Sequence, residues 1–213
     1  MSGDNKKMKK IKLGFLRETQ KDAISAGIDK EQNIERTGLE IYLKIIFPEI
    51  DDWIYDQTVP NLMSNGKISK IRPDYRSEKL KMIVEFDGLP HYQNVDTIIN
   101  DEKKDEIYVD NGYKVVRIPY FIQLTNEVAY KLFGVKVKEQ LFDPSIPSLG
   151  INGRYSPAFL CPLGITRMAK DFIKFPQQYE VNKNYLKQFD DKYTGLSYLE
   201  KEIEYIKCNK NHK

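Results

Sequence analysis

Residues 80–88 read Leu-Lys-Met-Ile-Val-Glu-Phe-Asp-Gly, and no other stretch limits the fold as much. Leu80, Met82, Val84 and Phe86 alternate with Lys81, Ile83, Glu85 and Asp87, the period of an extended strand. The first set is wholly apolar, and a run of this type is expected to be a central, buried strand. Its last residues are acidic nonetheless, and a buried unpaired charge is expensive. Arg72-Pro73-Asp74 lies just upstream, with ten residues between Asp74 and Glu85. A hairpin of 67–75 and 80–87, turning at Arg76-Ser77-Glu78-Lys79, brings Asp74 beside Glu85 and Asp87.

Three carboxylates held that close repel one another unless a cation is present. Hard oxygen donors in an incomplete cage favour Mg²⁺, with Mn²⁺ as a substitute, leaving room for water and a phosphate oxygen. The expected chemistry is hydrolysis of a phosphodiester by an activated water. Asp74, Glu85 and Asp87 are the expected metal ligands. His91 is the candidate general base, because imidazole titrates near neutrality. Against this stands the ordinary reading of each residue: a solvated acid at a strand end, or a loop histidine making one hydrogen bond.

The surrounding pattern is α/β. Residues 32–47 predict a helix, with Ile34, Leu39, Leu43 and Ile46 at helical spacing and Pro48 as the stop. Residues 53–60 predict a strand, ended by the Asn65-Gly66 turn. A charged helix over 95–111 closes at Asn111-Gly112. Strand 113–119 and helix 124–140 follow. A strand reached through a crossover helix implies a mixed sheet of four to five strands flanked by helices.

Prolines and glycines crowd 141–164, predicting a long loop, and 165–175, 178–190 and 196–207 predict short helices. The expected domains are a flexible basic arm at 1–30, a core at 31–140 and a helical extension at 141–213. That extension, with Tyr179, Tyr185, Tyr193, Tyr198 and Tyr205, is expected to serve recognition or dimerisation, or simply to pack as a helical core.

With these residues laid out, the chain resembles the PD-(D/E)XK nuclease superfamily. Pro73-Asp74 matches the PD element and Glu85-Phe86-Asp87 the (D/E)XK element, with Asp87 where that family has Lys. It is more similar to a branch resembling the very-short-patch repair endonuclease. The matching residues are Glu35 or Glu40, Gln57, Glu85-Phe86-Asp87-Gly88 with His91, Asp101 with Lys104, and Gly112 through Arg117. The resemblance spans roughly 32–120.

It implies a restriction-endonuclease-like core in which Asp74 and Asp87 hold Mg²⁺, with Glu85 as a further ligand. Glu35, or alternatively Glu40, supports the metal's water from the first helix. Lys104 is a candidate for the missing cation, and Arg117 for pairing with the acids or a phosphate. It implies a DNA endonuclease, first a type II restriction enzyme or a subunit of one, acting as a homodimer or with a partner subunit. The alternatives are a strand-nicking repair endonuclease and a non-catalytic DNA-binding module. An RNA-directed nuclease ranks lower, for want of a base-stacking aromatic cluster.

Composition adds little. The net charge of +3 conceals 34 basic residues, and nucleic-acid binding depends on where they cluster. Two cysteines without metal-ligand spacing, no secretory pattern and no apolar run long enough to span a membrane lead to the expectation of a cytoplasmic protein with free thiols.

Overall fold

The computed structural model describes residues 11–13, 34–36, 39–141 and 161–210. Its centre is a four-stranded mixed sheet in the order β3-β6-β7-β8: β3 (Ile54–Tyr55), β6 (Tyr75–Ser77), β7 (Met82–Asp87) and β8 (Lys114–Pro119). β6 runs antiparallel to β7, and β8 runs parallel to it. The parallel return requires a crossover, supplied by α2 (Pro90–Gln93) and α3 (Val95–Asp110). The fold is therefore α/β with a mixed, open sheet.

β7 is the interior strand that its apolar run predicts. Met82 and Val84 enter the main core, with Leu80 and Phe86 packed against it. Ile83 faces the other way, into a second cluster with Val59, Leu62, Tyr108 and Tyr113. Burying Ile83 and Val84 completely, at 0% exposure, contributes roughly 1.5–3 kcal/mol each. Glu85 and Asp87 share the Ile83 face. α3 covers that face through Ile98, Asp101, Asp105 and Tyr108, a stripe at helical spacing whose middle members are acidic.

The hairpin differs from expectation. Residues 67–75 do not form one strand: Lys67–Ile68 (β5) pairs with Met63–Ser64 (β4) across Asn65-Gly66. Both turn residues have positive φ, 50° and 73°, as a two-residue hairpin loop requires. The chain turns from β6 into β7 at 78–81, two residues later than predicted. Asp52 anchors that turn by accepting from Ser77 Oγ at 2.7 Å and Lys79 N at 2.8 Å.

The first helix also differs. α1 spans only Leu39–Ile46, whereas Ile34–Arg36 is a strand (β2) paired in parallel with Ile11–Leu13 (β1). Gly38 interrupts the helical run in sequence, and glycine is a poor helix former. Helix α4 (Asn126–Phe133) is shorter than predicted because Gly134, at φ 77°, ends it in the left-handed conformation. The rest of the arm expected at 1–30, and residues 142–160 of the predicted loop, lie outside the described residues.

The C-terminal helices are α5 (Pro162–Lys174), α6 (Pro176–Leu186), α7 (Asp191–Thr194) and α8 (Leu196–Lys210). Pro162 and Pro176 open α5 and α6 at positions where no amide bond is lost. Their Met168, Ala169, Phe172, Leu186, Leu199 and Ile203 belong to the same buried cluster as Val84, Val116 and Phe121. The extension thus completes the sheet's core. Among the described residues no helix is long and apolar enough to cross a membrane, and Cys161 and Cys208 are free.

Candidate functional site

The pairings of β7 decide what gathers at its C-terminal end. Tyr75 pairs with Val84, so Asp74 sits where β6 begins, beside Glu85. Asp74 N donates to Glu85 Oε2 at 3.3 Å, and Phe86 N donates to Asp74 Oδ2 at 2.8 Å. On the other flank Glu85 pairs in register with Arg117 of β8. Tyr108 of α3 donates its hydroxyl to Glu85 Oε1 at 3.2 Å. Burial, and next the charge of Asp74, push the Glu85 carboxyl up to about 7.

Asp87 lies one period further along and is fully buried. Arg117 Nη1 donates to its Oδ1 at 2.6 Å, and Arg167 of α5 donates to its Oδ2. Burial pushes the Asp87 carboxyl up, against the pull of these two guanidinium groups and of His91. His91 Nδ1 lies 2.6 Å from Asp101 Oδ2 and 3.5 Å from Asp87 Oδ1. Burial opposes protonation of this imidazole, but the Asp101 hydrogen bond and the charges of Asp87 and Asp101 outweigh it and raise its pKa. Asp101 shows the converse: burial opposes its ionisation, yet the His91 bond and Arg117 hold it below the usual carboxylate range. Arg117 also grips Asp105 through Nε at 2.8 Å and Nη2 at 2.7 Å.

Two sub-sites result. Asp87, Asp101 and Asp105 face Arg117, Arg167 and a histidine held toward its charged form, and these charges nearly cancel. Asp74 and Glu85 stand next to them as adjoining carboxyls, one of them held near neutrality by burial and by the other's charge. Among the described residues, the group of three whose ligand atoms lie within 4.8 Å of one another is Asp87, His91 and Asp101. Asp74, Glu85 and Asp87 do not form such a group, although all three gather at one end of β7.

The remaining expected residues divide. Lys104 reaches the site, with Nζ 3.8 Å from Asp101 Oδ1. Glu35 is on β2 and not on the first helix, so the role expected of it there does not apply; its side chain lies outside the described residues. The helix acid is Glu40, which accepts from Tyr75 Oη at 2.5 Å, next door to Asp74. Gln57 is exposed beyond the end of β3.

Arg167 is the participant that sequence reasoning missed. It bonds Asp87, lies 3.6 Å from Asp101 Oδ2, donates to the His91 carbonyl at 3.4 Å, and stacks 5.0 Å over the Tyr92 ring. The only signal for it in sequence is the spacing of Arg167, Lys170 and Lys174 on one helix face.

A cleft of about 800 Å³ opens from Asp87 between α3 and α5. Asp101, Glu102 and Asp105 line the α3 side. Arg167, Lys170 and Lys174 line the other, joined by Lys131 of α4. No family model matches the chain, nor does any curated protein or solved structure match it significantly.

Proposed function

We propose that the chain is a Mg²⁺-dependent DNA endonuclease with a restriction-endonuclease-like core. The observation that carries this reading is the pairing of Asp74 with Glu85 at the C-terminal end of the interior strand β7, beside Asp87. Two adjoining hard carboxyls, one raised to about 7 by burial and by its neighbour, suit a divalent cation. Asp74 and Glu85 would hold it, with Asp87 joining them as Arg167 lets go. Bound there, Mg²⁺ supplies charge neutralisation and a more acidic water.

The chain's own residues account for the rest. Arg117, fixed by Asp87 and Asp105, keeps positive charge where a phosphorane's negative charge would grow. With Nδ1 engaged by Asp101, His91 has Nε2 left to exchange a proton. Its raised pKa favours the imidazolium, so it suits donation to the departing oxygen better than the base role expected from sequence. In that step water oxygen bonds to phosphorus and releases one of its protons to solvent, the phosphorus–oxygen bond to the leaving strand breaks, and the His91 proton goes to the departing oxygen. One such site cuts one strand, so double-strand cleavage by a restriction enzyme would take a homodimer or a partner subunit. A strand-nicking repair role needs neither.

A second reading rests on a specific observation: both Asp87 oxygens already bond to arginines. A site neutralised in that way suits a DNA-binding module of the same fold without catalysis. Incubating supercoiled plasmid with the protein and Mg²⁺ or Mn²⁺ separates the two. Conversion to nicked circles that EDTA abolishes supports the hydrolase; plasmid retention on a gel without conversion supports the binding module.

A further inference from the structure

Helix α5 has two unlike faces. Gly164, Met168, Ala169 and Phe172 are buried, the last three in the main core. Arg167, Lys170 and Lys174 turn instead to the cleft, at intervals of three and four residues, or about 4.5 and 6 Å of helical rise. Arg167 is at the inner end, bonded to Asp87. Lys170 forms no ion pair among the described residues. Among the described residues the Lys174 side chain pairs with Asp171, at 3.3 Å, and it remains 66% exposed. Lys131 adds a fourth cation: it pairs with Glu127 at 2.8 Å and donates to the Lys174 carbonyl at 3.2 Å. Within α5 the acid is Asp171, and burial pushes its carboxyl up, which weakens it as a counter-charge.

The opposite wall has the reverse sign. Asp101, Glu102 and Asp105 belong to α3, and Arg117 and His91 already engage two of them. A polyanion entering the cleft is therefore drawn to the α5 side and held off the α3 side. The cations follow one another toward Asp87, so a chain of regularly spaced negative charges meets them in turn. A single small anion would satisfy only one.

We infer that the Lys170–Lys174 face of α5 is the track for the strand to be cut. It holds phosphates flanking the scissile one and delivers that phosphodiester to Arg167 beside Asp87. This rests on the hydrolase reading above and adds to it the surface, the strand path and the residues that bear the load. Lys170 and Lys174 are positioning residues. Arg167 exchanges its bond to Asp87 for the arriving phosphate, which also frees a carboxylate oxygen at the site.

The test measures binding of the full chain to a fluorescently labelled 20-base-pair duplex by anisotropy, in EDTA, over a range of KCl concentrations. Wild type is compared with Lys170→Gln/Lys174→Gln and with Lys207→Gln/Lys210→Gln, which removes two exposed lysines from the end of α8. Each phosphate contact contributes about 0.9 to the slope of log K against log salt. The α5 variant should therefore lose about 1.8 from that slope, and on the order of tenfold to a hundredfold in affinity near 0.1 M salt. The α8 variant should bind as wild type does. In Mg²⁺, the α5 variant should show a higher KM for plasmid nicking with kcat little changed, and its circular dichroism should match wild type.

Equal binding by wild type and the α5 variant, with nicking intact, overturns the track and leaves the hydrolase reading standing. An equal loss in the α8 variant overturns it as well, since overall charge would then explain the effect. Tight competition by poly-glutamate overturns it in favour of an acidic polypeptide. A wild-type protein that neither binds nor cuts DNA removes the hydrolase reading and the track with it.

Discussion

Burial, and next the charge of Asp74, make Glu85 hold its proton to a higher pH than an ordinary glutamate does, and the consequence can be measured. Its pKa stands near 7 in the folded chain, against about 4.3 for an unfolded glutamate. A carboxyl that binds its proton more tightly when folded makes stability fall as pH climbs from about 4.3 through 7. Glu85→Gln should be near neutral at pH 4.5 and stabilising at pH 8, by at most about 3.7 kcal/mol, in urea unfolding at the two pH values. A variant that destabilises equally at both would show that Glu85 is held by hydrogen bonds alone. Neighbours of this kind are only half visible in sequence. Strand alternation and a short loop make Asp74, Glu85, Asp87 and His91 legible in the sequence, whereas Asp101 and Arg117 stand out only through the family resemblance. Arg167 is legible in neither way, because it reaches Asp87 from 80 residues away and nothing local announces that contact.

The elements most exposed to misreading were those set by a single residue's backbone. β7 and α3 emerged cleanly, the first from alternation and the second from its closing Asn111-Gly112. Asn111 does more than end that helix: its side chain donates to the Ile107 carbonyl at 2.7 Å and to the Met63 carbonyl at 2.9 Å, and accepts from Met63 N at 2.9 Å. It ties the small β4–β5 hairpin to the helix that covers the site. Asn111→Ala should cost about 1–2 kcal/mol in thermal unfolding, with amide exchange quickening in β4 and β5 ahead of β7. Uniform exchange across the fold would contradict that tether. The hairpin register is not legible because the run 76–81, polar but for Leu80, offers several turns, and the Asp52 bonds that select one come from far upstream. The helical pattern of 124–140 runs on past Gly134, whose positive φ stops α4.

At the scale of the molecule, the C-terminal helices and the sheet share one core. Phe172 of α5 packs on Phe121, just beyond β8, with ring centroids 4.5 Å apart. Asn182 of α6 donates to the Phe121 carbonyl at 3.1 Å. Phe172→Ala should cost about 3–5 kcal/mol and lower Tm by about 10 °C, in one transition seen alike by far- and near-ultraviolet circular dichroism. Two separated transitions would mean that the sheet folds without α5–α8. Proline and glycine crowding made 141–164 look like a joint, and no local pattern says that helices beyond it return to the sheet. That return carries Arg167 to Asp87, so the proposed site and the packing of the core depend on the same contact surface.

The most direct measurement compares wild type with Asp74→Asn on supercoiled plasmid in Mg²⁺, scoring nicked circles beside duplex binding of each protein. The account predicts that wild type nicks, and that Asp74→Asn binds DNA comparably but nicks at least a hundredfold more slowly, about 2.7 kcal/mol of lost transition-state stabilisation. Nicking by Asp74→Asn at the wild-type rate, or no nicking by wild type in any divalent cation, would contradict it.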